Sequence, residues 1–387
     1  MSKFDPEVVT DDLLRAAFES IIKDYSGQDD LFRYPGMDGP ICAVPSIPTG
    51  SISLDAATGV GGIPMGRLTI IAGEPSTGKS TLCLETIKNQ QKMDSSKTNI
   101  YMDLETGAFT DLYAKNLGLD LDPNSFIIIT PTHLQQGMEA CYRLISTGKV
   151  GVCVWDSIAG ASSKESVGKS MEEAESMAMK ARLLSDHLGK IATKCGKTGT
   201  ALILVNQTRT QMGTGFSWTD ISGGRAQKFF SSLRVDLEKK ETVKDFSGKI
   251  TSETIVAKVK KNKVGAPYRM AEFDIRFGFG IMREADILKM AGQEGLIDAK
   301  GGGHFVFFDL ETGEVKEQVR GKQFAIEYLL DNPSYTDELE TRILGLIRTT
   351  NYCQEELDQA DAITNGHIDV DEPEPMILED NMIALGL

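Results

Sequence analysis

Hydrophobic and polar positions along the chain predict strands that alternate with helices. Five short apolar runs have the length and composition of buried strands, at residues 67–73, 99–105, 125–130, 149–156 and 200–207. The first four are each followed by a segment with apolar residues at helical spacing, starting near residue 80 and then at 108–118, 133–147 and 171–195. Parallel strands covered by helices on both faces show this alternation. The sequence therefore predicts an α/β fold with a mostly parallel, twisted sheet.

The segments on either side of this core have different patterns. Residues 8–25 place apolar side chains at helical spacing, and a stretch rich in glycine and proline follows. From residue 233 three strand patterns follow one another, which indicates antiparallel strands at the far edge of the sheet. After residue 280 the pattern predicts a small α/β domain made of a helix, a hairpin and two helices, at 282–294, 304–317, 321–331 and 335–348. We therefore expect an N-terminal helix with a linker, a core, a small C-terminal domain and a tail, at 1–45, 46–280, 281–348 and 349–387.

The negative charge of the chain is concentrated in that tail. The 387 residues include 41 Lys and Arg against 56 Asp and Glu, a net charge of −15, which by itself disfavours nucleic-acid binding. Residues 349–387, however, contain ten of the acidic residues and no Lys or Arg. A block of like charges repels itself and is expected to stay unfolded. We interpret it either as a solubilising tail or as a polyanion that competes with nucleic acid, and its apolar end, 376–387, either as a docking peptide or as a sticky end.

Composition excludes several classes of protein. No apolar run approaches the ~18 residues of a membrane span, and the first residues contain no apolar signal segment. The six cysteines form no C-x-x-C pair, and with four isolated histidines they give no zinc-binding spacing. We expect reduced thiols and a cytoplasmic location without membrane partners.

One glycine-rich segment carries a specific chemical signal. Residues Gly73, Glu74, Pro75, Ser76, Thr77, Gly78, Lys79 and Ser80 fit the pattern G-x-x-x-x-G-K-[ST], and they lie between a predicted strand and a predicted helix. Glycines let the backbone curve around phosphate oxygens, and the start of the helix supplies N–H donors. We expect Lys79 to reach the β- and γ-phosphates of ATP, Ser80 to bind Mg²⁺ and Thr81 to contact the α-phosphate.

The residues that assist such a loop are expected at the ends of neighbouring strands. Asp156 ends one apolar run and suits a carboxylate that holds Mg²⁺ through a water molecule. Glu105 ends another run, where a carboxylate can polarise the water that attacks the γ-phosphate, and Asp103 is its rival. Gln207 ends a third run, where its amide can sense the γ-phosphate. The residues alone leave the roles of Glu105 and Gln207 open.

Longer segments carry a resemblance to a known family. They are TGSISLDAATGVGGIPMGRLTIIAGEPSTGKSTL from residue 49, VWDSIAG from 154, LVNQTRTQMG from 204, SGGRAQKFFSSLRVDL from 222 and VKKNKVGAPYRMAEFDIRFGFGI from 259. Together they resemble the bacterial RecA recombinases, and the resemblance is collinear over about residues 46–348. It implies a RecA-type P-loop ATPase core, an N-terminal helix and strand arm, a small α/β C-terminal domain and an acidic tail.

The resemblance assigns roles to individual residues of the ATP site. Glu105 matches the catalytic glutamate, Asp156 the metal-site aspartate and Gln207 the glutamine that senses the γ-phosphate. Tyr113 matches the tyrosine that stacks on adenine; the alternative is an ordinary core tyrosine. Lys261 and Lys263 match lysines that reach the ATP of the neighbouring subunit; the alternative is a solvated edge strand. Lys228 and Phe229 match residues that relay the ATP state through the subunit interface.

Two segments match the DNA-binding loops of the family. The first spans 163–182, with Met177 and Arg182 at its contact positions. The second spans 208–225, with candidate contacts at Arg209, Phe216, Trp218, Gly223, Gly224 and Arg225. Arginines can bind phosphates and aromatic rings can stack on bases. The second loop is one residue shorter than in the family and Trp218 is additional, so either ring is a candidate for insertion. A glycine-rich loop without function is the alternative.

The implied function is recombination driven by ATP. ATP and Mg²⁺ bind between subunits, a helical homo-filament assembles on single-stranded DNA, and that strand is paired and exchanged with a homologous duplex. Single-strand-binding or loader proteins are possible partners. A hexameric helicase with a related core is one alternative, but it would have an N-terminal collar and an arginine finger where this chain has Lys-Lys-Asn-Lys from residue 260. A scaffold gated by ATP, without hydrolysis, is the other; the presence of Lys79, Glu105 and Asp156 argues against it.

Overall fold

A computed structural model gives the structure of the chain in two units, Met1–Pro45 and Ser46–Leu387. The residues described are 12–24, 44–105, 107, 109–160, 177–212, 217–222, 224–244, 250–300 and 303–351. The described part of the first unit, residues 12–24 and 44–45, contains α1 (Asp12–Asp24), which lies within the helix predicted over 8–25. Leu13 and Leu14 are exposed on α1.

The second unit alternates strands and helices as predicted. Its strands are β1 (Ser46–Ile47), β2 (Ile63–Pro64), β3 (Leu68–Gly73), β4 (Thr98–Asp103), β5 (Phe126–Ile129), β6 (Val150–Asp156), β7 (Ala201–Met212), β8 (Ser217–Ile221), β9 (Leu233–Lys244), β10 (Ile250–Asn262), β11 (Met270–Arg276), β12 (Gly280–Ile281), β13 (Ile297–Lys300), β14 (His304–Phe308) and β15 (Val315–Arg320). Its described helices are α2 (Ile52–Thr58), α3 (Lys79–Met93), α4 (Asp111–Leu117), α5 (Leu134–Ser146), α6 (Met177–Thr198), α7 (Arg225–Phe230), α8 (Arg283–Gln293), α9 (Lys322–Asp331) and α10 (Pro333–Asn351).

The main sheet is mostly parallel, which confirms the predicted fold class. Its strand order is β12-β11-β10-β9-β3-β7-β6-β4-β5, and β8 pairs with β7. The six strands from β9 to β5 are parallel neighbours, whereas β9, β10, β11 and β12 form antiparallel pairs at one edge. β9 therefore belongs to both parts of the sheet, because it is parallel to β3 and antiparallel to β10.

Successive strand residues face opposite sides of the sheet, and each side has its own buried cluster. The side that packs on α3 contains Ile71, Leu82, Val154, Ile203 and Val205. The side that packs on α5 and α6 contains Ile70, Met138, Trp155, Leu188 and Leu204. Burying each such side chain contributes about 1.5–3 kcal/mol before entropy is counted. These layers hold the ends of β3, β7, β6 and β4 rigidly side by side.

The C-terminal lobe, residues 283–351, has a separate core and a three-stranded sheet, β13-β14-β15. The predicted hairpin is formed by β14 and β15, and in its turn Gly313 has a φ of 73° and the backbone N–H of Thr312 donates to Asp309. The short strand β13 was not predicted. Asp286 of α8 ties this lobe to the start of α2, because its Oδ2 accepts from Ser51 Oγ at 2.6 Å and from Ser53 Oγ at 3.1 Å.

Several boundaries differ from the sequence prediction. β7 does not end at Gln207 but continues to Met212, and it pairs with β8 in a hairpin where we expected an irregular loop. α6 ends at Thr198, beyond the predicted residue 195, and residues 171–176 of that predicted helix lie outside the described residues. Residues 352–387 of the predicted acidic tail (349–387) also lie outside them, whereas 349–351 belong to α10. The division of the chain at residues 280 and 348 stays a prediction.

Candidate functional site

The segment Gly73–Ser80 forms a turn from the end of β3 into the first turn of α3. Ser76 and Gly78 have φ angles of 61° and 80°, in the left-handed region that favours glycine. A Cβ on Gly73 would lie 2.5 Å from the carbonyl oxygen of Leu237 on β9, so only glycine fits there. The loop thus presents the N-terminus of a helix of 15 residues, a suitable site for phosphate oxygens.

Lys79 is buried at the start of α3, and its ammonium group lies over the loop. Its Nζ donates to the carbonyl oxygen of Glu74 at 2.6 Å. Burial lowers the pKa of Lys79, while the nearby carboxylates of Asp156 and Glu105 act in the opposite direction. The amine is therefore placed between the loop backbone and the acidic groups at the neighbouring strand ends.

Ser80 and Asp156 meet as the sequence predicts. The Ser80 hydroxyl donates to Asp156 Oδ2 at 2.5 Å, since the end of β6 lies beside the first turn of α3. Asp156 is buried, which raises its pKa, and the hydroxyl donors Ser80 and Tyr101 lower it. A hydroxyl next to a carboxylate is a donor set of the kind that Mg²⁺ uses in nucleotide sites. The two residues therefore fit the predicted Mg²⁺ site.

Tyr101 is a member of this site that sequence reasoning missed. It is fully buried in β4, and its hydroxyl donates to Asp156 Oδ2 at 2.5 Å. Burial raises the pKa of Tyr101 and the carboxylate of Asp156 raises it further, so the hydroxyl stays a neutral donor. The sequence signal was a hydroxyl between two apolar strand residues, Ile100 and Met102, two residues before Asp103.

Glu105 and Gln207 also contact each other, on the side of the sheet where its parallel strands have their carboxyl ends. Gln207 Nε2 donates to Glu105 Oε1 at 3.1 Å, and the Ser157 hydroxyl donates to the same oxygen. Gln207 is in register with Gly73 on β3. The rival Asp103 shapes the loop instead, because its carboxylate accepts the backbone N–H groups of Glu105 at 3.1 Å and Gly107 at 2.9 Å. Ser157 carried no signal in the sequence.

Tyr113 lies next to the phosphate loop, on α4. Its hydroxyl is 2.7 Å from Thr81 Oγ1, and the ring is half-buried against the core. Burial raises the pKa of Tyr113. The structure thus places the residue that we expected at the α-phosphate and the residue that we expected at adenine in direct contact.

Lys261 and Lys263 contact a different part of the molecule. Their amines donate to carbonyl oxygens at the C-terminal end of α7: Lys261 to Lys228, and both lysines to Phe229, at 3.5 Å and 3.4 Å respectively. Burial lowers the pKa of Lys261, and the charge of Lys263 lowers it further. Cations are favoured at this end of a helix. Within one subunit their partners are therefore α7 carbonyls and not residues of the phosphate loop.

The described parts of the two candidate DNA-binding segments lie side by side. A Cβ on Gly224, just before α7, would lie 2.7 Å from Cβ of Ala181 on α6. The adjacent Arg182 and Arg225 are both exposed, and Arg182 Nε is 4.0 Å from Asp186. The backbones of Met177, Arg209 and Trp218 lie in α6, β7 and β8, while Phe216 and Gly223 lie outside the described residues.

The phosphate loop between β3 and α3, with a carboxylate at the end of β6, places the chain in the class of P-loop nucleotide-binding proteins. Comparison with known proteins narrows that class. The family model described as the RecA N-terminal domain matches residues 12–282. The chain belongs to the RecA family, which confirms the family inferred from the sequence.

Individual relatives show the same similarity over most of the chain. Protein RecA of Bifidobacterium breve is 36% identical over 329 residues, which are 84% of this chain and 80% of that protein. Protein RecA of Heliobacterium modesticaldum is 35% identical over 333 residues, 86% of this chain and 92% of that protein. Protein RecA of Aquifex pyrophilus is 38% identical over 309 residues, 79% and 85% of the two chains. Within the described ranges, no helix is long and apolar enough to cross a membrane.

Proposed function

We propose that this protein is an ATP-dependent recombinase that acts in homologous recombination and DNA repair. It assembles as a helical filament on single-stranded DNA, pairs that strand with homologous duplex DNA and exchanges strands. The observation that carries this proposal is the position of Gln207, whose amide lies 3.1 Å from Glu105 in the nucleotide site. The same strand, β7, continues from Gln207 into the hairpin that occupies the second candidate DNA-binding loop.

In the nucleotide site, the backbone of Gly73–Gly78 and the Lys79 ammonium bind the phosphates of ATP. Thr81 contacts the α-phosphate, and Tyr113 stacks on adenine once it turns from Thr81. Ser80 holds Mg²⁺ directly and Asp156 holds it through a water molecule. When bound, Mg²⁺ neutralises charge on the phosphate oxygens.

For hydrolysis we assign the general base to Glu105. Ser157 and Gln207 both donate to Oε1, so they orient the carboxylate and leave Oε2 for the attacking water. Gln207 is at the same time the group that detects the γ-phosphate, because its amide carries two N–H groups and can donate one to Glu105 and the other to the phosphate. DNA affinity is therefore high in the ATP state and falls after hydrolysis.

For assembly, Lys261 and Lys263 leave the α7 carbonyls and reach the ATP of the adjoining subunit, which completes each site from two chains. Lys228 and Phe229 relay the nucleotide state across that interface; the Phe229 ring is 73% exposed and so is available for a neighbour. Arg182, Arg209 and Arg225 bind DNA phosphates, with Met177 and the glycines Gly223 and Gly224 at close approach, and Phe216 or Trp218 stacks on bases. Single-strand-binding or loader proteins and a cytoplasmic location stay predictions.

The ATPase assignment is tested by two substitutions in the site and one outside it. Glu105→Gln keeps the size of the side chain but removes the base, so DNA-stimulated phosphate release should fall about 10²–10⁴-fold while ATP still raises Tm. Lys79→Ala should lose both hydrolysis and the ATP-induced rise in Tm. Glu139→Gln, on the exposed face of α5 where Glu139 pairs with Arg143, is the matched control and should keep normal turnover. Normal turnover in Glu105→Gln would contradict the assignment.

The assembly is tested by electron microscopy with single-stranded DNA and a slowly hydrolysed ATP analogue. We expect open helical filaments. Closed rings would instead support the hexameric helicase.

A further inference from the structure

A closed ring of hydrogen bonds lies beside the middle of β7, at the residue before Gln207. Asn206 Nδ2 donates to the carbonyl oxygen of Ser222 at 2.8 Å and to Gln227 Oε1 at 2.9 Å. The Ser222 hydroxyl donates to Asn206 Oδ1 at 2.7 Å, and Gln227 Nε2 donates back to the Ser222 carbonyl oxygen at 2.9 Å. We call the three residues Asn206, Ser222 and Gln227 the amide clamp.

The clamp has one geometry because its two amide side chains are buried and hydrogen-bonded. Asn206 and Gln227 are both 0% exposed. Both N–H groups of the Asn206 amide are used within the clamp, as are the oxygens of both amides. A buried polar network of this kind rigidifies its surroundings, since any displaced member leaves an unpaired polar group in a low dielectric.

The clamp joins three elements that the proposed function uses. Asn206 lies in β7 immediately before Gln207, Ser222 directly follows β8, and Gln227 lies in α7 immediately before Lys228. Adjacent strand residues face opposite sides of a sheet. Gln207 therefore faces the phosphate loop while Asn206 faces α6 and α7, and one peptide unit links the two sides.

α7 in turn is packed tightly against α6, which carries Arg182. A Cβ on Gly189 of α6 would lie 3.0 Å from the ring of Phe230, and Gly224 approaches Ala181 as closely as described above. Phe230 also packs into the buried cluster on this side of the sheet. If α7 shifts, it therefore displaces α6, because no open space separates the two helices at these contacts.

We propose that Gln227 is a positioning residue that, through the amide clamp, makes the DNA affinity of the β7–β8 hairpin depend on the nucleotide. When the γ-phosphate draws the Gln207 amide, the adjoining Asn206 peptide moves, and the clamp shifts Ser222 at the base of the hairpin and α7 together. An apolar contact at this place would let the elements slide independently. This inference rests on the proposed function, because it requires that Gln207 senses nucleotide and that the hairpin binds DNA.

The test is the nucleotide dependence of DNA binding in Gln227→Leu. The dissociation constant for a fluorescent single-stranded oligonucleotide is measured by anisotropy with a slowly hydrolysed ATP analogue and again with ADP. The dissociation constant with ADP divided by the dissociation constant with the ATP analogue measures the coupling, and we expect this ratio to fall about tenfold in the variant. Affinity for the ATP analogue, measured by the rise in Tm, should stay within about twofold of the wild type.

Two further variants separate coupling from stability. Ser222→Ala removes the hydroxyl bond but keeps the backbone carbonyl, so the ratio should fall by less than in Gln227→Leu; it also serves if Gln227→Leu does not fold. Thr336→Val is the control, because it removes a buried hydroxyl that donates at 2.7 Å to the Leu329 carbonyl in the C-terminal lobe. It should lower Tm and leave the ratio unchanged.

The outcomes distinguish the clamp from the proposed function. A wild-type ratio well above one, with the same ratio in Gln227→Leu and Ser222→Ala, overturns the clamp alone. A wild-type protein whose DNA binding does not depend on nucleotide overturns the proposed coupling and the clamp with it. A reduced ratio in Thr336→Val as well would show that the effect is general destabilisation and would also overturn the clamp.

Discussion

Replacing Tyr101 by phenylalanine removes a single hydroxyl from the carboxylate that we assign to Mg²⁺. Asp156 Oδ2 accepts from Ser80 and from Tyr101, each at 2.5 Å. Ser80 would hold Mg²⁺ through its hydroxyl oxygen, whereas Tyr101 is a donor to Asp156 that orients the carboxylate without holding the metal itself. The phenylalanine ring fills the same space and keeps the packing against Phe109, whose centroid is 5.5 Å away.

The size of the effect follows from the kind of hydrogen bond that is lost. A bond to an ionised group contributes about 1.5–3 kcal/mol, and losing a partner that orients a metal-site carboxylate costs about 10–100-fold in metal affinity. We therefore expect Tyr101→Phe to need about 10–100 times more Mg²⁺ for half-maximal effect. The pKa of Asp156, already raised by burial, should rise further because a donor to its ionised form is gone. The loss of Mg²⁺ binding on acidification should therefore begin at a higher pH in the variant.

The assay is a Mg²⁺ titration at fixed ATP, with Tm as the readout so that turnover is not required. With ATP and a chelator the two proteins should behave alike, since the phosphate loop is unchanged. Tyr335→Phe is the matched control: its hydroxyl donates at 2.8 Å to the Phe308 carbonyl in the C-terminal lobe, so the Mg²⁺ midpoint should not move. A midpoint for Tyr101→Phe within about twofold of the wild type would refute the reasoning.

Three further changes have expected outcomes. Burial raises the pKa of Asp286, so the folded state binds its proton more tightly than the unfolded state, and the stability from this group falls as pH rises. In urea unfolding, the free energy of unfolding of the wild type should therefore rise relative to that of Asp286→Asn as the pH is lowered, and a difference that does not change with pH would contradict this. Gly78→Ala should cost about 1–3 kcal/mol in urea unfolding and weaken ATP binding, because φ is 80° and the Cβ would overlap Ile275, whereas Gly148→Ala, with φ of 72° and open space, should keep ATP affinity. Deleting 352–387 removes a polyanion that can compete with DNA, so the affinity for duplex DNA should increase, and most at low salt. Unchanged affinity would contradict the competition and support the interpretation as a solubilising tail.

The phosphate loop and the helix-covered strands were predictable because local sequence determines them. The loop needs glycine at Gly73 and Gly78 for backbone reasons that are visible in the pattern, and Lys79 and Ser80 follow at fixed spacing. Apolar runs such as 149–156 mark strands that are buried on both faces. The meeting of Ser80 with Asp156 followed from the rule that functional groups lie at the carboxyl ends of parallel strands.

The remaining features depend on contacts between distant segments. Tyr101 and Ser157 acquire a role only because β4 and β6 are neighbours, and neither stands out in its own segment. The hairpin of β7 and β8 was missed because its paired segments, 208–212 of β7 and 217–221 of β8, are mostly polar and lie in a glycine-rich stretch, where alternation of apolar residues gives no signal. The amide clamp brings together a residue within β7, the residue after β8 and a residue of α7, so its three members were not singled out in the sequence.

The position of β3 has a consequence for how the protein is made. β3 (Leu68–Gly73) is an interior strand, and its two neighbours, β7 and β9, begin only at Ala201 and Leu233. During synthesis the phosphate loop therefore leaves the ribosome while both edges of β3 are still unpaired, and Gln207 has not yet been added. Contacts so far apart in sequence form slowly and leave strand edges exposed meanwhile. ATP can thus stabilise only the nearly completed core, and the first half of the chain must avoid aggregation without help from its own nucleotide.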